Sequence, residues 1–203
     1  MQRLGLNIFK SFRVPFVLVL LAVGLSGCGV NNIPTYEEQA KAAWSEVLSQ
    51  YQRRADLIPN LVETVKGFAK QEKSVLTEVV EARAKATQMK LPDNILNNPG
   101  AMQQFQDAQG ALGSALSKLM VVVERYPDIK SGQNFLTLQS QLEGTENRVA
   151  IARRDFIGSV RSYNTELKTI PGRWWKSLLY PEAQPMANFV NRPGSEAPPV
   201  VKF

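Results

Sequence analysis

Histidine is absent from the 203-residue sequence, and cysteine occurs once. The lack of histidine removes the commonest general base, the commonest metal ligand and the side chain that titrates nearest to neutral pH. Ser-His-Asp and Cys-His catalytic systems, histidine-bearing zinc sites and the Glu-x-x-His motif of di-iron bundles are therefore excluded. The sequence also contains no glycine-rich phosphate loop and no EF-hand loop. We expect a protein that is not an enzyme, with no catalytic residue, no metal site and no cofactor.

The single cysteine, Cys28, cannot form a disulfide within the chain, and it follows a short apolar segment. This segment extends from Val14 to Leu25, and three cationic side chains with no acidic one precede it. An apolar run of about a dozen residues is shorter than the roughly 20 that a helix needs to span a bilayer. The pattern therefore predicts a cleaved signal peptide over residues 1–27.

The residues around the cleavage site, Leu25-Ser26-Gly27-Cys28, resemble the lipobox of bacterial lipoproteins. The resemblance implies cleavage before Cys28, a diacylglycerol on its thiol and often a further acyl chain, such as palmitate, on the new amine. Several acyl chains hold a protein firmly on a bilayer, whereas a single myristoyl chain binds only marginally. Gly29 replaces the aspartate that retains some lipoproteins at the inner membrane, so a periplasm-facing outer-membrane position is expected in a cell with two membranes. The alternatives are a chance cysteine or an uncleaved anchor.

The charge balance does not indicate a polyanionic partner. The formal net charge of +6 includes the three cations of the predicted signal peptide, so the mature chain is less basic than the full sequence. An exported chain also meets little nucleic acid. We expect the membrane, through the lipid on Cys28, and an unidentified envelope protein as partners, with no nucleic acid and no small-molecule substrate.

Hydrophobic periodicity predicts four helices after a membrane-proximal spacer over residues 28–35. Thr35 and Glu38 have the spacing of a capping box, and Asn98 and Pro99 suit the cap and first residue of the third helix. Pro59 is expected in the first turn of the second helix, so a turn or a sharp kink at ADLIP, residues 55–59, would separate the first two helices. The predicted helices A to D cover about residues 36–54, 57–87, 99–126 and 131–170.

Helices C and D carry apolar residues spaced by seven, which is typical of a helix that buries one face. We expect these rows to lie in the core of an all-α, antiparallel, up-down-up-down four-helix bundle over residues 36–171. A proline-rich and partly disordered tail is predicted over residues 172–203. The rows are Phe105, Leu112, Leu119 and Tyr126 in helix C, and Phe135, Leu142, Val149, Phe156, Tyr163 and Ile170 in helix D.

Two segments, RRADLIPNLVETVKG from Arg53 and TENRVAIARR from Thr145, are more specific than any helical periodicity. With helix C between them, they resemble the LemA family over about residues 36–171. The resemblance implies an antiparallel bundle of four helices. It implies no reaction, because the biochemical function of the family is not established. The chain differs from many members in having a lipobox instead of an N-terminal transmembrane helix, and in lacking their phenylalanine-rich ending.

Both segments supply polar candidates for a binding surface. The first set lies at the predicted turn between helices A and B, where its charges also suit the helix dipoles. The second set interrupts helix D beside core positions, where a buried ion pair could fix the register of the helices. For each set we consider both a structural role and a partner-binding role. The candidates are Arg53, Arg54, Asp56, Asn60, Glu63, Glu146, Asn147, Arg148, Arg153 and Arg154.

A candidate membrane contact follows helix D, in the segment Arg173, Trp174, Trp175 and Lys176. Tryptophans flanked by cations suit an interface that is apolar on one side and wet on the other. In an up-down-up-down bundle this segment lies at the same end as Cys28. The alternative is that both rings fill the bottom of the core.

The expected function is that of a lipid-anchored scaffold or adaptor that binds another protein at the membrane surface. The alternative is a membrane-surface-binding or membrane-shaping module. An enzyme is the least favoured class, because a Glu/Arg set without a nucleophile or metal ligand offers little chemistry.

Overall fold

The computed structural model describes residues 29–67 and 72–190, and this part of the chain contains six α-helices, a short 3-10 helix and no strand. The all-α prediction is confirmed. The signal peptide, Cys28 and the last residues of the tail, which were predicted to be disordered, lie outside the described residues. The α-helices are α1 (Asn32–Lys66), α2 (Lys73–Gln88), α3 (Pro99–Val123), α4 (Pro127–Lys130), α5 (Gln133–Glu166) and α6 (Gly172–Leu178), with the 3-10 helix at Ile95–Asn97 before α3.

The predicted turn between helices A and B is wrong, because α1 continues without interruption through Pro59. A proline inside a helix has no N–H to donate to the carbonyl four residues earlier, which here belongs to Ala55. Arg83 of α2 replaces that donor, since its Nε lies 2.8 Å from the Ala55 carbonyl oxygen. A side chain from a neighbouring helix therefore satisfies the group that the proline leaves free.

The starts of two helices test the predicted caps. α1 begins at Asn32 without a side-chain cap, so the capping box at Thr35 is wrong and only a few residues separate Cys28 from the helix. Pro34 lies in the first turn, where a missing N–H costs nothing. The cap of α3 is confirmed, because Asn98 Oδ1 accepts a hydrogen bond of 3.0 Å from the Ala101 backbone N–H and Pro99 is the first helical residue.

Contacts between the long helices show which of them are neighbours. The start of α1 meets the end of α5, where Asn32 Nδ2 lies 3.2 Å from Glu166 Oε1. α1 and α5 pack extensively, and α2 packs on both α1 and α3. Lys118 of α3 pairs with Glu78 of α2 at 2.5 Å, and Arg125, which follows α3, pairs with Glu72, which precedes α2, at 2.8 Å.

The apolar core consists of two clusters, one around the later half of α1 and one around its earlier half. The predicted rows of helices C and D are buried except at their ends, where Tyr126 is half-buried and Ile170 is 65% exposed. Ile170 lies beyond the end of α5 at Glu166, which explains its exposure. Between the two clusters lie the buried polar residues of the described chain, Arg54, Gln109 and Thr145.

The proline-rich tail packs on the second cluster as far as Phe189. Met186 is buried, and its backbone N–H and carbonyl pair with the Asn164 side chain, each at 2.8 Å. The Phe189 ring lies 5.4 Å from that of Phe156 and 6.1 Å from that of Trp44, between ring centroids. Proline thus limits helix length here, as predicted, without preventing ordered packing.

Candidate functional site

One side of the helical assembly is open. α1 packs on α5, and α2 packs on α1 and α3, but α3 and α5 make only isolated contacts with each other. The gap forms a groove of ≈ 1650 Å³, here called the α3/α5 groove, with α1 at its floor. It follows α3 from Gln103 to Met120, a length of roughly 25 Å at 1.5 Å per residue. Small residues of α3 line this side: Gly110, Gly113, Ser114 and Ser117.

Arg54 lies at the floor of the groove and is only 4% exposed. Its Nη1 lies 3.2 Å from Glu146 Oε1 on α5. Its Nη2 donates to the backbone carbonyl of Gln109 on α3 at 3.1 Å and to Gln109 Oε1 at 2.5 Å. The guanidinium also lies 4.9 Å from the centroid of the Tyr51 ring. A single buried cation therefore links three helices at the level between the two apolar clusters.

Two donors at this floor have no acceptor within the described part of the chain. They are Arg54 Nε and Gln106 Nε2, both of which are buried atoms. Buried polar atoms in folded proteins nearly always have a hydrogen-bond partner, because an unmade bond costs about 1–3 kcal/mol. Both residues line the α3/α5 groove. The floor therefore suits a ligand that offers an acceptor oxygen, such as a carboxylate or a carbonyl.

The tail borders one end of the groove. Val190 lines it, and the backbone N–H of Val190 lies 3.3 Å from Gln106 Oε1. The Arg153 guanidinium lies 4.5 Å from the centroid of the Phe189 ring. Burial raises the pKa of Tyr51 at this end, and the positive charges of Arg153 and Arg54 act in the opposite direction. Tyr51 is therefore a neutral donor at neutral pH.

Four of the ten polar candidates line the groove: Arg54, Glu146, Asn147 and Arg153. The other candidates on α1 are exposed side chains with local roles. Asp56 accepts from Gln52 Nε2 at 2.7 Å, and Glu63 pairs with Lys66 at 3.0 Å. Because no turn follows Arg54, none of these charges caps a helix at that point. The exposed members of the set are Arg53, Asp56, Asn60 and Glu63.

Two arginines of α5 are also exposed and lie outside the groove. Arg148 donates to Gln50 Oε1 at 3.2 Å and to Thr145 Oγ1 at 3.0 Å, and the nearest carboxylate to Arg154 is that of Asp155 at 3.4 Å. Sequence reasoning missed Gln109. Its signal was a glutamine between Phe105 and Leu112 on the apolar face of helix C, where periodicity predicts burial.

The tryptophans of α6 differ in exposure. Trp174 is 57% exposed, so the alternative that both rings fill the core is wrong for it. Trp175 is half-buried against the second apolar cluster, and its Nε1 has no acceptor within the described residues. The junction before α6 also adjoins the start of the described chain, since a β-carbon on Gly29 would lie 3.5 Å from Pro171 Cγ.

Across residues 29–67 and 72–190, no helix combines the length and the apolar character that crossing a bilayer requires.

The fold and the groove define an all-helical protein with a buried polar layer, and comparison with known proteins specifies it further. Residues 43–203 match the LemA family, so the chain belongs to that family. It is 27% identical to "Magnetosome protein MamQ 2" of Paramagnetospirillum magneticum over 97% of this chain and 78% of the relative. It is 26% identical to "Magnetosome protein MamQ" of Magnetospirillum gryphiswaldense over 83% of this chain and 67% of the relative.

Proposed function

We propose that this chain is a non-enzymatic, lipid-anchored protein of the bacterial cell envelope that holds a helix of another protein in the α3/α5 groove. Cys28 carries the lipid, after cleavage of residues 1–27, and the domain faces the periplasm from the outer membrane in a cell with two membranes. The lipobox and the short apolar segment before it support the anchor. Both relatives are named as magnetosome proteins.

The architecture proposed for this scaffold is an up-down-up-down four-helix bundle of α1, α2, α3 and α5. In such a bundle each helix packs on two neighbours around a closed square. Here the contacts between α1 and α5, α1 and α2, and α2 and α3 close three sides. The fourth side, between α3 and α5, is the groove, and this open side is the observation that carries the proposal.

The occupant that best fits the groove is an amphipathic helix with a carboxylate on its buried face. Glycine and serine at positions 110, 113, 114 and 117 of α3 let a second helix approach closely. Leu116, Leu142 and Val149 offer apolar surface within the same groove. Arg54 Nε and the Gln106 amide donor, which have no acceptor among the described residues, supply the polar complement to an Asp or Glu side chain.

Catalysis finds little support in the same residues. The guanidinium of Arg54 and the carboxylate of Glu146 neutralise each other at 3.2 Å, and no cysteine or histidine lies among the residues that line the groove.

A second candidate function, direct binding of the membrane surface, is favoured by the exposed apolar side chains around α6.

The scaffold function is tested by filling the groove. Gly113 lines it, and a β-carbon on Gly113 would meet no atom within 4 Å, so Gly113→Leu can occupy the groove without strain. Gly158→Leu on α5 is the matched control, because its added β-carbon also meets nothing and residue 158 lies outside the groove. Both changes replace a helical glycine and should stabilise the helix by roughly 0.5–1 kcal/mol.

Crosslinking in intact cells should recover a partner with the parent protein and with Gly158→Leu, and Gly113→Leu should lose it. Equal recovery by both variants would show that the partner, if any, binds elsewhere. Loss in both variants, with melting temperatures at or above that of the parent, would also contradict a role for the groove.

A further inference from the structure

The exposed apolar side chains around α6 are concentrated in ten consecutive residues. Ile170 is 65% exposed, Trp174 57%, Leu178 72% and Leu179 54%. The other strongly exposed apolar side chains of the described residues are spread singly over α2, α3, α5 and the tail. Single exposed apolar residues are ordinary, whereas a contiguous group with a polar rim marks an interaction surface.

Cations outnumber carboxylates around this group, since the one carboxylate that lies at the start of α6, that of Glu166, accepts from Asn32 Nδ2 at 3.2 Å. Lys168, Arg173 and Lys176 lie among the four apolar residues, and the sequence has no acidic residue between Leu167 and Pro181. None of the three cations forms an ion pair with any other residue that the structure describes. We call these seven residues the α6 patch: Lys168, Ile170, Arg173, Trp174, Lys176, Leu178 and Leu179.

The patch is held in a fixed orientation. Gly172 is buried, and a β-carbon there would collide with the Glu166 carbonyl oxygen, so this glycine lets the start of α6 lie directly against the end of α5. Trp175 packs against the second apolar cluster on one side of α6. Trp174, the preceding residue, is exposed to solvent.

The patch also lies next to the start of the described chain. Gly29 adjoins Pro171, and Asn32 Nδ2 donates to Glu166 Oε1, so the residues that follow the proposed anchor lie beside α6. A residue spans at most about 3.6 Å, and the apolar segment ends at Leu25. An acyl group on Cys28 would therefore place the bilayer within reach of the patch, and a retained apolar segment would do the same.

We propose that the α6 patch inserts into the headgroup region of an anionic bilayer, with Trp174 and Leu178 in the interface and the three cations against lipid phosphates. Apolar residues with interspersed cations have the chemistry of interfacial helices. The inference rests on the membrane attachment in the proposed function and is independent of the α3/α5 groove. It makes the polypeptide a second membrane contact that orients the helices relative to their anchor.

The adjacent tryptophans provide a matched test. The full-length acylated protein is reconstituted into vesicles of phosphatidylcholine and phosphatidylglycerol that carry brominated acyl chains, and tryptophan fluorescence is measured. Quenching is expected for the parent and for Trp175→Phe, and Trp174→Phe should lose most of it. Trp44 is buried among Phe105 and Phe156 and should stay unquenched. Arg173→Gln/Lys176→Gln should lower quenching in anionic vesicles more than in pure phosphatidylcholine.

Quenching that is the same in Trp174→Phe and Trp175→Phe would overturn the proposal. An unquenched parent protein would also overturn the proposal. Because the vesicles hold no other protein, that result would indicate that the patch binds a protein partner instead of lipid. Gly113→Leu should be quenched like the parent, which separates this result from the fate of the groove. Melting temperatures at or above that of the parent show that each variant is folded.

Discussion

Burying Arg54 in the core costs free energy. A buried guanidinium loses its hydration, and replacing a buried ion pair with apolar residues is often neutral or stabilising. Arg54 also keeps one donor without an acceptor in the described part of the chain, although Glu146 and Gln109 satisfy its other nitrogens. Stability alone is therefore a weak reason for this cation, and recognition in the groove or fixing of helix register are better ones.

The carboxylate of Glu146 should matter more than the neighbouring cation Arg148. Glu146→Gln should lower the free energy of unfolding by about 1–3 kcal/mol, because Arg54 remains buried and charged without its carboxylate. Glu146 is 46% exposed, and the low part of that range is expected because water compensates some of the loss. Arg148→Gln, the matched control on the same surface, should cost at most about 1 kcal/mol.

Thermal and urea unfolding of the two variants decide this prediction. Equal midpoints for Glu146→Gln and the parent would show that Arg54 gains nothing from the pair. A larger loss in Arg148→Gln than in Glu146→Gln would contradict the assignment of the buried partner.

The sequence indicated part of this polar layer. Glu146 was predicted beside the core because it follows Thr145 in helix D, where polar residues lie next to core positions. Its partner was not predictable in the same way. Arg54 and Gln109 are 55 residues apart in the chain and belong to different helices, so only the packing of the helices brings their side chains together.

α1 illustrates how one helix can depend on another. Pro59 leaves the Ala55 carbonyl without its usual donor, and Arg83 of α2 supplies the hydrogen bond at 2.8 Å. This hydrogen bond lies close to the position where a turn was predicted from Pro59 and where the structure instead has continuous helix. α2 therefore acts on the continuity of α1 as well as packing against it.

The proline and the arginine should show strong energetic coupling. Arg83→Met should lower the free energy of unfolding by about 1–3 kcal/mol, because it leaves the Ala55 carbonyl without a donor. Pro59→Ala restores the backbone N–H, so in that background Arg83→Met should cost less than about 1 kcal/mol. Urea unfolding of the parent, both single variants and the double variant measures the coupling. Additive effects would show that Arg83 does not substitute for the missing N–H.

One feature that depends on local residues was predicted correctly, and two features that depend on distant contacts were not. The cap of α3 was predictable because Asn98 and Pro99 act on their own helix. The continuity of α1 was not, since the residue that permits it lies 28 positions after Ala55. The packing of the tail was not predicted, because proline forecasts the end of a helix and does not forecast whether Met186 finds a partner such as Asn164.

The two proposals assign different functions to one end and one side of the molecule. Gly29 and the α6 patch share one end, where the membrane is expected. The α3/α5 groove runs along the helices, from the level of the tail to the later turns of α3. A partner helix bound there would lie parallel to the bundle, and anchoring at two points would hold it at a defined angle to the bilayer.

That arrangement depends on the modification of Cys28, and this modification can be tested in the intact precursor. Cys28→Ala removes the thiol that receives the diacylglycerol, so the variant should keep residues 1–27 and take up no label from a fatty-acid analogue in growing cells. Gly158→Leu, whose change lies on an exposed turn of α5, should be labelled and cleaved like the parent. Label retained by Cys28→Ala would refute the lipid anchor. Loss of label together with normal cleavage would instead indicate an ordinary signal peptidase, and the α6 patch would then be the main remaining contact with the membrane.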